Sequence, residues 1–348
     1  SPETFAGWLA AGRAEDFAAV RTFMIDPVSV PDGEALLRGR LHPDQTLLTP
    51  QGRDPRPADP GHLVATKGQL ALYAPSEEWL DALGPDGRPS ETRQAATNWP
   101  KISMVMVSFN QVAFLEQGIR SIIDQDYPNL EFIMVDGASK DGSIDVIERY
   151  HDSFDVLIVE KDRGQSDGLT KGFDRATGDI VSWLNSDDLL LPGALFRVAE
   201  AFMRHRTDVV AGGCLQVKED GVSVVHSHHN HLPFGRPTSL PLNELLDFDN
   251  RWLGGCFFFQ PEVFFTRDIW LRAGGGLRLD LYYVLDYDLW LRMAGAGATV
   301  VHIPDFLASS RIHEQQKTTF GETPFVPESR RLLAEYADGV QWTRPRAG

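Results

Sequence analysis

Cysteine is scarce in this chain: Cys214 and Cys256 are the only two among 348 residues, in the apolar settings "AGGCL" and "GGCFFF". Two cysteines make no disulfide framework and no Cys-x-x-Cys pair, which fits a reducing, cytoplasmic setting. Long apolar runs are missing too. None approaches the ~18 residues that span a bilayer, and no signal peptide is visible. Positive charge is in the minority, with 33 Lys and Arg against 49 Asp and Glu and a formal net charge of −16. That balance argues against nucleic acid or an anionic membrane surface as the main partner. Nor does a GxGxxG turn follow the first strand, and no GxxxxGK[ST] loop occurs, which disfavours dinucleotide and P-loop sites. The chain opens on Ser1 without a Met, which we read as a piece of a longer protein.

What is present is ordinary for a globular protein: 42% apolar and 24% charged residues, with a length that suggests two domains. Residues 1–98 read as an accessory α+β region and linker. Ser1 and Thr4 could cap an initial helix, a Pro-rich loop covers 50–61, and "HLVATKGQLALYAP" suits one or two strands. "SEEWLDALG" suits a short helix ending at Gly84, and "GPDGRPSETRQAATNWP" a linker. No chemistry-bearing cluster occurs there, so a packing or oligomerisation role is expected.

From residue 101 the pattern changes. "ISMVMVS" (102–108), "LEFIMVD" (130–136), "DVLIVE" (155–160) and "DIVSWL" (179–184) are short apolar runs. Helical stretches separate them, from Val112 to Gln125, from Ser143 to His151, and over "QSDGLTKGFDRAT". This alternation predicts βαβ units and a mostly parallel sheet buried on both faces, in a domain over 99–320 with a helical tail over 321–348. In such sheets ligands sit beyond the carboxyl ends of the strands. The polar residues that end the runs therefore converge: Ser108-Phe109-Asn110, Asp136, Lys161-Asp162 and Asn185-Ser186-Asp187-Asp188.

Asp187 and Asp188 adjoin at the end of an apolar run in "SWLNSDDLLLPG". At an effective dielectric of about 20, two like charges about 4 Å apart repel by roughly 4 kcal/mol. One explanation is a cap for a helix that starts near Pro192. The other is a divalent cation, held by hard oxygen ligands and shared with a phosphate. The convergence of strand ends favours the cation.

Several motifs occur in one order: "VSFN", "VDGASKDGS", "EKDRGQSDGLTKGFDRATGDIVSWLNSDD", "GGCFFFQPEVFF", "DYDLWLR" and "RIH". On these motifs, residues from about 100 to 320 resemble the family 2 glycosyltransferases, which have the Rossmann-like GT-A fold. The resemblance implies a nucleotide-diphosphate sugar donor, expected to be UDP-linked, and a Mn2+ or Mg2+ ion. It implies a hydroxyl acceptor on a glycan, a lipid-linked or another molecule, and a place in polysaccharide biosynthesis. A lipid-linked acceptor would bring peripheral membrane contact, and a homo-oligomer is compatible with the family.

The resemblance also assigns residues. Ser108, Phe109 and Asn110 would border the base, and Asp136 would accept the N3–H of a uracil ring, with a turn-forming role as its alternative. Ser139 belongs to the same donor stretch. Asp162, Gly164 and Asp167 resemble the segment that closes over ribose and sugar, although Asp167 could equally cap a helix; Lys171 either joins them or is a helix-surface charge. Asn185 stands at the first Asp of the family's DxD motif and Asp187 at the second. With Ser186, Asn185 would meet the donor, while Asp187 and Asp188 would hold the cation. His313 would reach the metal or the pyrophosphate, and Arg311 would bind phosphate. Trp252, Gly254, Gly255 and Gln260 fall where the family lines its acceptor side.

"VLDYDLWLRMAGAG" carries two further carboxylates. At about 100° per residue, Leu285, Leu289, Trp290 and Met293 form one apolar face, with Asp286 roughly 35° from its centre and Asp288 more than about 120° away. Asp288 is then expected as a solvated partner of Arg292 at i+4, and Asp286 as the inward carboxylate whose desolvation suits a general base. The family's base motif falls on the same residue, with Leu285 in place of Glu. In "HSHHNH" (226–231), His226 and His228 would share a strand face with the rest in a loop, which suits an acceptor-side or surface role better than zinc. The QxxRW motif of processive synthases is absent, so a single addition is expected. An inverting glycosyltransferase with Asp286 as base is the reading these observations favour. One rival is an inactive GT-A module that binds nucleotide sugar or glycan. A remoter one is a sugar nucleotidyltransferase, whose Gly-rich, Arg-containing loop is missing after the first strand.

Overall fold

Alternate residues of strand β3 (Ile102–Ser108) look in opposite directions, and that alternation splits the core in two. Met104 and Met106 join one buried cluster, Val105 and Val107 the other. Strand β4 (Leu130–Asp136) divides likewise, with Phe132 and Met134 on the first side and Ile133 and Val135 on the second. A strand buried on both faces favours apolar residues on each, which is why these runs read as nearly continuous; the buried exceptions inside them, Ser103 and Glu131, bond each other.

The computed structural model describes residues 64–66, 69–71, 98–317, 324–339 and 342–344. The expected first helix, Pro-rich loop, short helix before Gly84 and linker lie outside the described residues. Two short strands, β1 (Val64–Thr66) and β2 (Gln69–Ala71), pair antiparallel within "HLVATKGQLALYAP". Beyond β3 and β4 the chain forms α1 (Val112–Ile123), α2 (Ser143–Arg149), β5 (Val156–Val159), α3 (Gln165–Phe173), β6 (Ile180–Asn185) and β7 (Leu189–Leu190). Then come α4 (Ala194–His205), β8 (Val209–Val217), β9 (Val224–His229), β10 (Thr238–Ser239) and α5 (Leu242–Leu246). The last elements are β11 (Val263–Thr266), α6 (Arg267–Arg272), α7 (Leu285–Gly295), β12 (Thr299–Arg311) and α8 (Val326–Ala337).

The sheet runs β10-β12-β8-β11-β6-β3-β4-β5, with β7 on β12 and β9 on β8. Its β6-β3-β4-β5 half is parallel, whereas β11 pairs antiparallel with both β6 and β8. Helices α1 and α4 cover one face; α3, α6 and α7 cover the other. An aromatic hub fixes α3 and α7 to the sheet: Trp183 lies 5.9 Å from both Phe173 and Trp290, the latter stacked. Offset and edge contacts of such rings add ~0.5–1.5 kcal/mol per pair beyond area burial.

Strand β12 runs through Pro304 to Arg311, because Pro304, which has no N–H to donate, falls between His302 and Phe306 where the β12–β8 register shifts. One expectation is corrected here. His229, expected in a loop, ends β9 as a buried residue whose Nδ1 lies 3.0 Å from His302 Nε2. Among the described residues no helix is long and apolar enough to cross a membrane.

Candidate active site

Parallel pairing brings the ends of three strands level. Ser108 is the register partner of Asp136, and Val107 that of Asn185. Local turns complete this edge. The fully buried Asp136 accepts from Ser139 N at 2.7 Å and Ser139 Oγ at 2.8 Å. These are the bonds of the turn former weighed from the sequence. Asn110, at φ 53°, donates its backbone N–H to Ser139 Oγ at 2.8 Å and accepts from Lys140 N at 2.9 Å. Ser108 Oγ is buried with no hydrogen-bond partner among the described residues, and Phe109 is 61% exposed. A Cβ on Gly137 would meet Asp162 Oδ2 at 2.9 Å and Phe109 Cδ2 at 3.0 Å, so only glycine lets those two side chains gather there. A cavity of ≈ 590 Å³ opens between Asn110, the first turn of α1, Lys140 and Gln315.

Helix α3 begins at this edge. Asp162 Oδ1 accepts from Gly164 N at 2.9 Å, and Gly164 takes φ 106° to turn the chain into the helix. Asp167 serves the same turn, accepting from Arg163 N at 3.1 Å and Arg163 Nη2 at 2.8 Å. Burial would raise its carboxyl, but the Arg163 bonds and the Lys171 charge outweigh burial and hold it below the usual range. Lys171 pairs with Glu160 at 2.8 Å and Asp167 at 3.5 Å, the helix-side charge that was its second reading.

The Asn-Ser-Asp-Asp segment separates into residues with different surroundings. Asn185 accepts from Gln165 Nε2 at 2.7 Å and donates to Asp188 Oδ2 and Gln260 Oε1, both at 3.2 Å. Ser186 is buried. Asp187 keeps part of its side chain exposed, with Oδ2 3.0 Å from His313 Nε2. His313 is buried against the Phe114 ring at 4.5 Å, and its Nδ1 has no partner among the described residues.

Asp188, expected beside Asp187 on a cation, is instead turned into the protein. Its Oδ1 accepts from Arg311 N at 3.0 Å, and burial together with the Asp187 charge pushes its carboxyl up to about 8. Arg311, expected at a phosphate, is also corrected. It is 4% exposed, and its guanidinium donates to Asp187 O at 2.9 Å, Glu219 O at 2.7 Å and Gln117 Oε1 at 2.7 Å. Such an arginine holds the loop's shape and offers no fork to a ligand.

Helix α7 carries the other two carboxylates, and its periodicity misleads. The helix is buried nearly all round, Arg292 and Asp288 included, so it has no solvated face. Asp288 is fully buried and accepts from Arg292 Nε at 2.8 Å, while Arg292 also donates to Ala273 O and to Gly276 O. The pairing at i+4 is as expected; its solvation is not. Asp286, in the first turn, is the half-exposed one. Its Oδ1 accepts from Tyr287 N at 2.8 Å, and desolvation raises its carboxyl to about 6 against opposing hydrogen bonds and the Lys317 charge.

Three residues that sequence reasoning missed tie these parts together. Lys317 donates to Gln165 Oε1 at 2.7 Å and to Tyr282 O at 3.1 Å. Gln165 thereby links Lys317 to Asn185. Burial lowers the Lys317 ammonium, and the charges of Asp286, Glu328 and Asp187 oppose that. Glu328, on α8, accepts from Tyr282 N, Tyr283 N and Val284 N just ahead of α7. A lysine four residues beyond His313 was the one available signal; Gln165 and Glu328 had none.

On the expected acceptor side, Trp252 packs on Tyr287 at 4.1 Å and Gln260 donates to Trp183 O at 2.8 Å. Gly254 and Gly255 lie in the turn between them, Gly255 at φ 68°. Among the described residues no three His, Cys, Asp or Glu side chains form a ready metal-binding group, the histidines of 226–231 included.

A family model described as Glycosyl transferase family 2 matches residues 103–268. The putative teichuronic acid biosynthesis glycosyltransferase TuaG of Bacillus subtilis is 30% identical over 220 residues, which are 62% of this chain and 81% of that protein. The chain belongs to glycosyl transferase family 2. An uncharacterized glycosyltransferase of Rickettsia typhi is 25% identical over 224 residues, 63% of this chain and 66% of that family member. Among solved structures, S. aureus TarS 1-349 in complex with UDP-GlcNAc aligns with a TM-score of 0.54 at 16% identity. That alignment covers 67% of this chain and 65% of TarS 1-349, so the chain spans just under two thirds of these two relatives. The likeness is one of fold, and the fold is GT-A, as the motifs led us to expect.

Proposed function

We propose that this family member transfers a sugar, with inversion, from a nucleotide-diphosphate donor, UDP-linked in our reading, to an acceptor hydroxyl. One observation carries the proposal. Lys317 stands within electrostatic reach of both Asp187 and Asp286 and is joined to Asn185 through Gln165, so one lysine links the donor-side and base-side carboxylates. TarS binds UDP-GlcNAc, and that supports a UDP-sugar here.

Asp136 would take the N3–H of a uracil on a remaining lone pair, since a carboxylate offers about four acceptor sites and two are used by Ser139. Phe109, Asn110 and Asp162 would frame the base and ribose. A divalent cation would fit the Asp187–His313 pair, a carboxylate oxygen and an imidazole nitrogen 3.0 Å apart, and these two residues would hold it. When bound, such an ion supplies positive charge at the leaving diphosphate. Asp286 would accept the acceptor's hydroxyl proton as that oxygen forms its bond to the anomeric carbon and the bond to the diphosphate breaks opposite it. A carboxyl raised to about 6 is still ionised at neutral pH and is more basic than an ordinary aspartate. Trp252 and Gln260 would line the acceptor side, for a glycan or lipid-linked hydroxyl. The TuaG likeness supports a place in polysaccharide biosynthesis, and two unpaired cysteines support a cytoplasmic setting.

A second reading, a module that binds nucleotide sugar without turnover, draws on Asn185 at the first DxD position and on the lack, among the described residues, of a ready three-residue metal group. Nucleotide release from a panel of UDP-, GDP- and dTDP-sugars, with and without Mn2+, separates the two. Mn2+-dependent release of UDP supports transfer; donor binding without release selects the module, and no binding at all overturns both.

A further inference from the structure

The first turn of α7 has no cap of its own. Val284 at its N-terminus makes no side-chain capping bond, and the preceding residues, Tyr282 and Tyr283, are neither helix nor strand. Backbone N–H groups in such a turn are usually satisfied by water or a nearby side chain. Here one carboxylate takes three in succession. Glu328 Oε1 accepts from Tyr282 N at 2.8 Å, and Oε2 accepts from Tyr283 N at 2.6 Å and Val284 N at 3.0 Å. Three consecutive amides converging on an anion make a nest, and an acid there also suits the positive end of the helix that follows. The carbonyl of the same turn is held from the other side, by Lys317 on Tyr282 O.

The clamp is firmly anchored. Leu332 of α8 is fully buried in the core that contains α7, Glu335 accepts from Arg278 Nη1 at 2.6 Å, and Arg330 donates to Asp249 Oδ1 at 2.7 Å. Glu328 is therefore carried by a helix that is packed into this core. Asp286 lies two residues beyond the last clamped amide. Both clamping residues follow β12, outside the 103–268 that the family model covers.

We propose that Glu328 is a positioning residue: from the C-terminal helix it sets where the turn 282–284, and so the Asp286 carboxylate, stands relative to the bound acceptor. The proposal rests on Asp286 being the base. A displacement of about 1 Å at a reacting group costs up to ~10²-fold in rate, so the clamp has catalytic consequences without touching substrate.

The test compares Glu328→Ala, Glu328→Gln and Asp286→Asn in the full chain. For Glu328→Ala we expect kcat to fall about tenfold with UDP affinity within about twofold of wild type, since misplacing the base acts on turnover and not on donor binding. Glu328→Gln, which keeps one acceptor oxygen, should fall between. Hydrogen exchange gives a readout independent of activity: amides 282–284 should exchange about tenfold faster or more in Glu328→Ala, with helices α1 and α4 unchanged. Unchanged kcat and unchanged exchange in Glu328→Ala, alongside a dead Asp286→Asn, overturn the clamp and leave the base assignment standing. Wild-type turnover in Asp286→Asn overturns the base assignment itself. Should Glu328→Ala unfold, Glu328→Gln decides, because equal protection and equal kcat there are incompatible with the clamp.

Discussion

The two halves of the sheet hold their site residues in different ways. On the parallel side, several partners are close along the chain: Asp136 bonds Ser139 three residues on, Gly164 bonds Asp162 two residues back, and Asp167 bonds Arg163 four back, while Asn110 reaches Ser139 and Lys140 across 29 and 30 positions. On the mixed side they are remote. Arg311 reaches Gln117 across 194 positions, and the turn before Asp286 depends on Glu328, 44 to 46 positions away. Strand ends with local turns form the proposed donor edge, which nearby sequence largely specifies. The proposed base, the Asp187 loop and the proposed acceptor side instead take their shape from buried charges and long-range bonds, so damage there should spread further.

The sharpest way to break that contrast is Asp286→Asn. It keeps the shape but cannot take a proton, so turnover should fall by roughly 10² or more while UDP affinity, read by calorimetry, stays put. Wild-type kcat/KM should also be level above neutral pH and fall as pH drops through about 6, where a carboxyl with a raised pKa takes up its proton. A flat profile down to pH 5 removes Asp286 from the role.

Arg292→Ala tests the buried side. Removing one partner of a buried pair leaves Asp288 uncompensated, which should cost about 3–5 kcal/mol in denaturant unfolding. A loss under about 1 kcal/mol, the value for a solvated pair, would restore the amphipathic picture of α7. Next in size is Asp187→Ala. If Asp187 and His313 share a cation, Mn2+-dependent UDP affinity should drop about tenfold or more, whereas affinity without the ion should barely move. Unchanged Mn2+ dependence would leave the pair as a plain hydrogen bond.

The smallest effect belongs to Lys171→Gln on the local side. Its pairs with Glu160 and Asp167 lie near the surface, so stability should change by less than about 1 kcal/mol and UDP affinity by less than about twofold. A large loss of donor affinity would mean that the parallel half, too, relies on charges aimed at the ligand.

Legibility followed the same division. The runs at 102–108 and 130–136 became strands with those bounds, because a strand covered on both faces keeps its middle apolar and polar residues mark where it stops, at Ser108 and Asp136. The residues beyond them were readable as a converging edge, because parallel strands deliver their carboxyl ends to one side. The family was readable from the order of the motifs. The rest was decided by packing. Helical phasing gave Asp288 to solvent, yet α7 is enclosed by the sheet, α5, α6 and α8, so position on the helical wheel did not set exposure. Asp188 and Arg311 looked like a metal ligand and a phosphate partner because charge at a strand end is the usual sign of a ligand. Only the fold showed that Asp188 is spent on the Arg311 backbone N–H, and the Arg311 guanidinium on the Asp187 carbonyl and on α1. Glu328 had no signal in the sequence, since a glutamate on a late helix is unremarkable until three amides are found pointing at it. Sequence periodicity and motif order determined the fold class, the strand edge and the family. Which carboxylates face the cleft and which are buried in pairs was decided by the tertiary structure, because that depends on partners the chain brings together only when it folds.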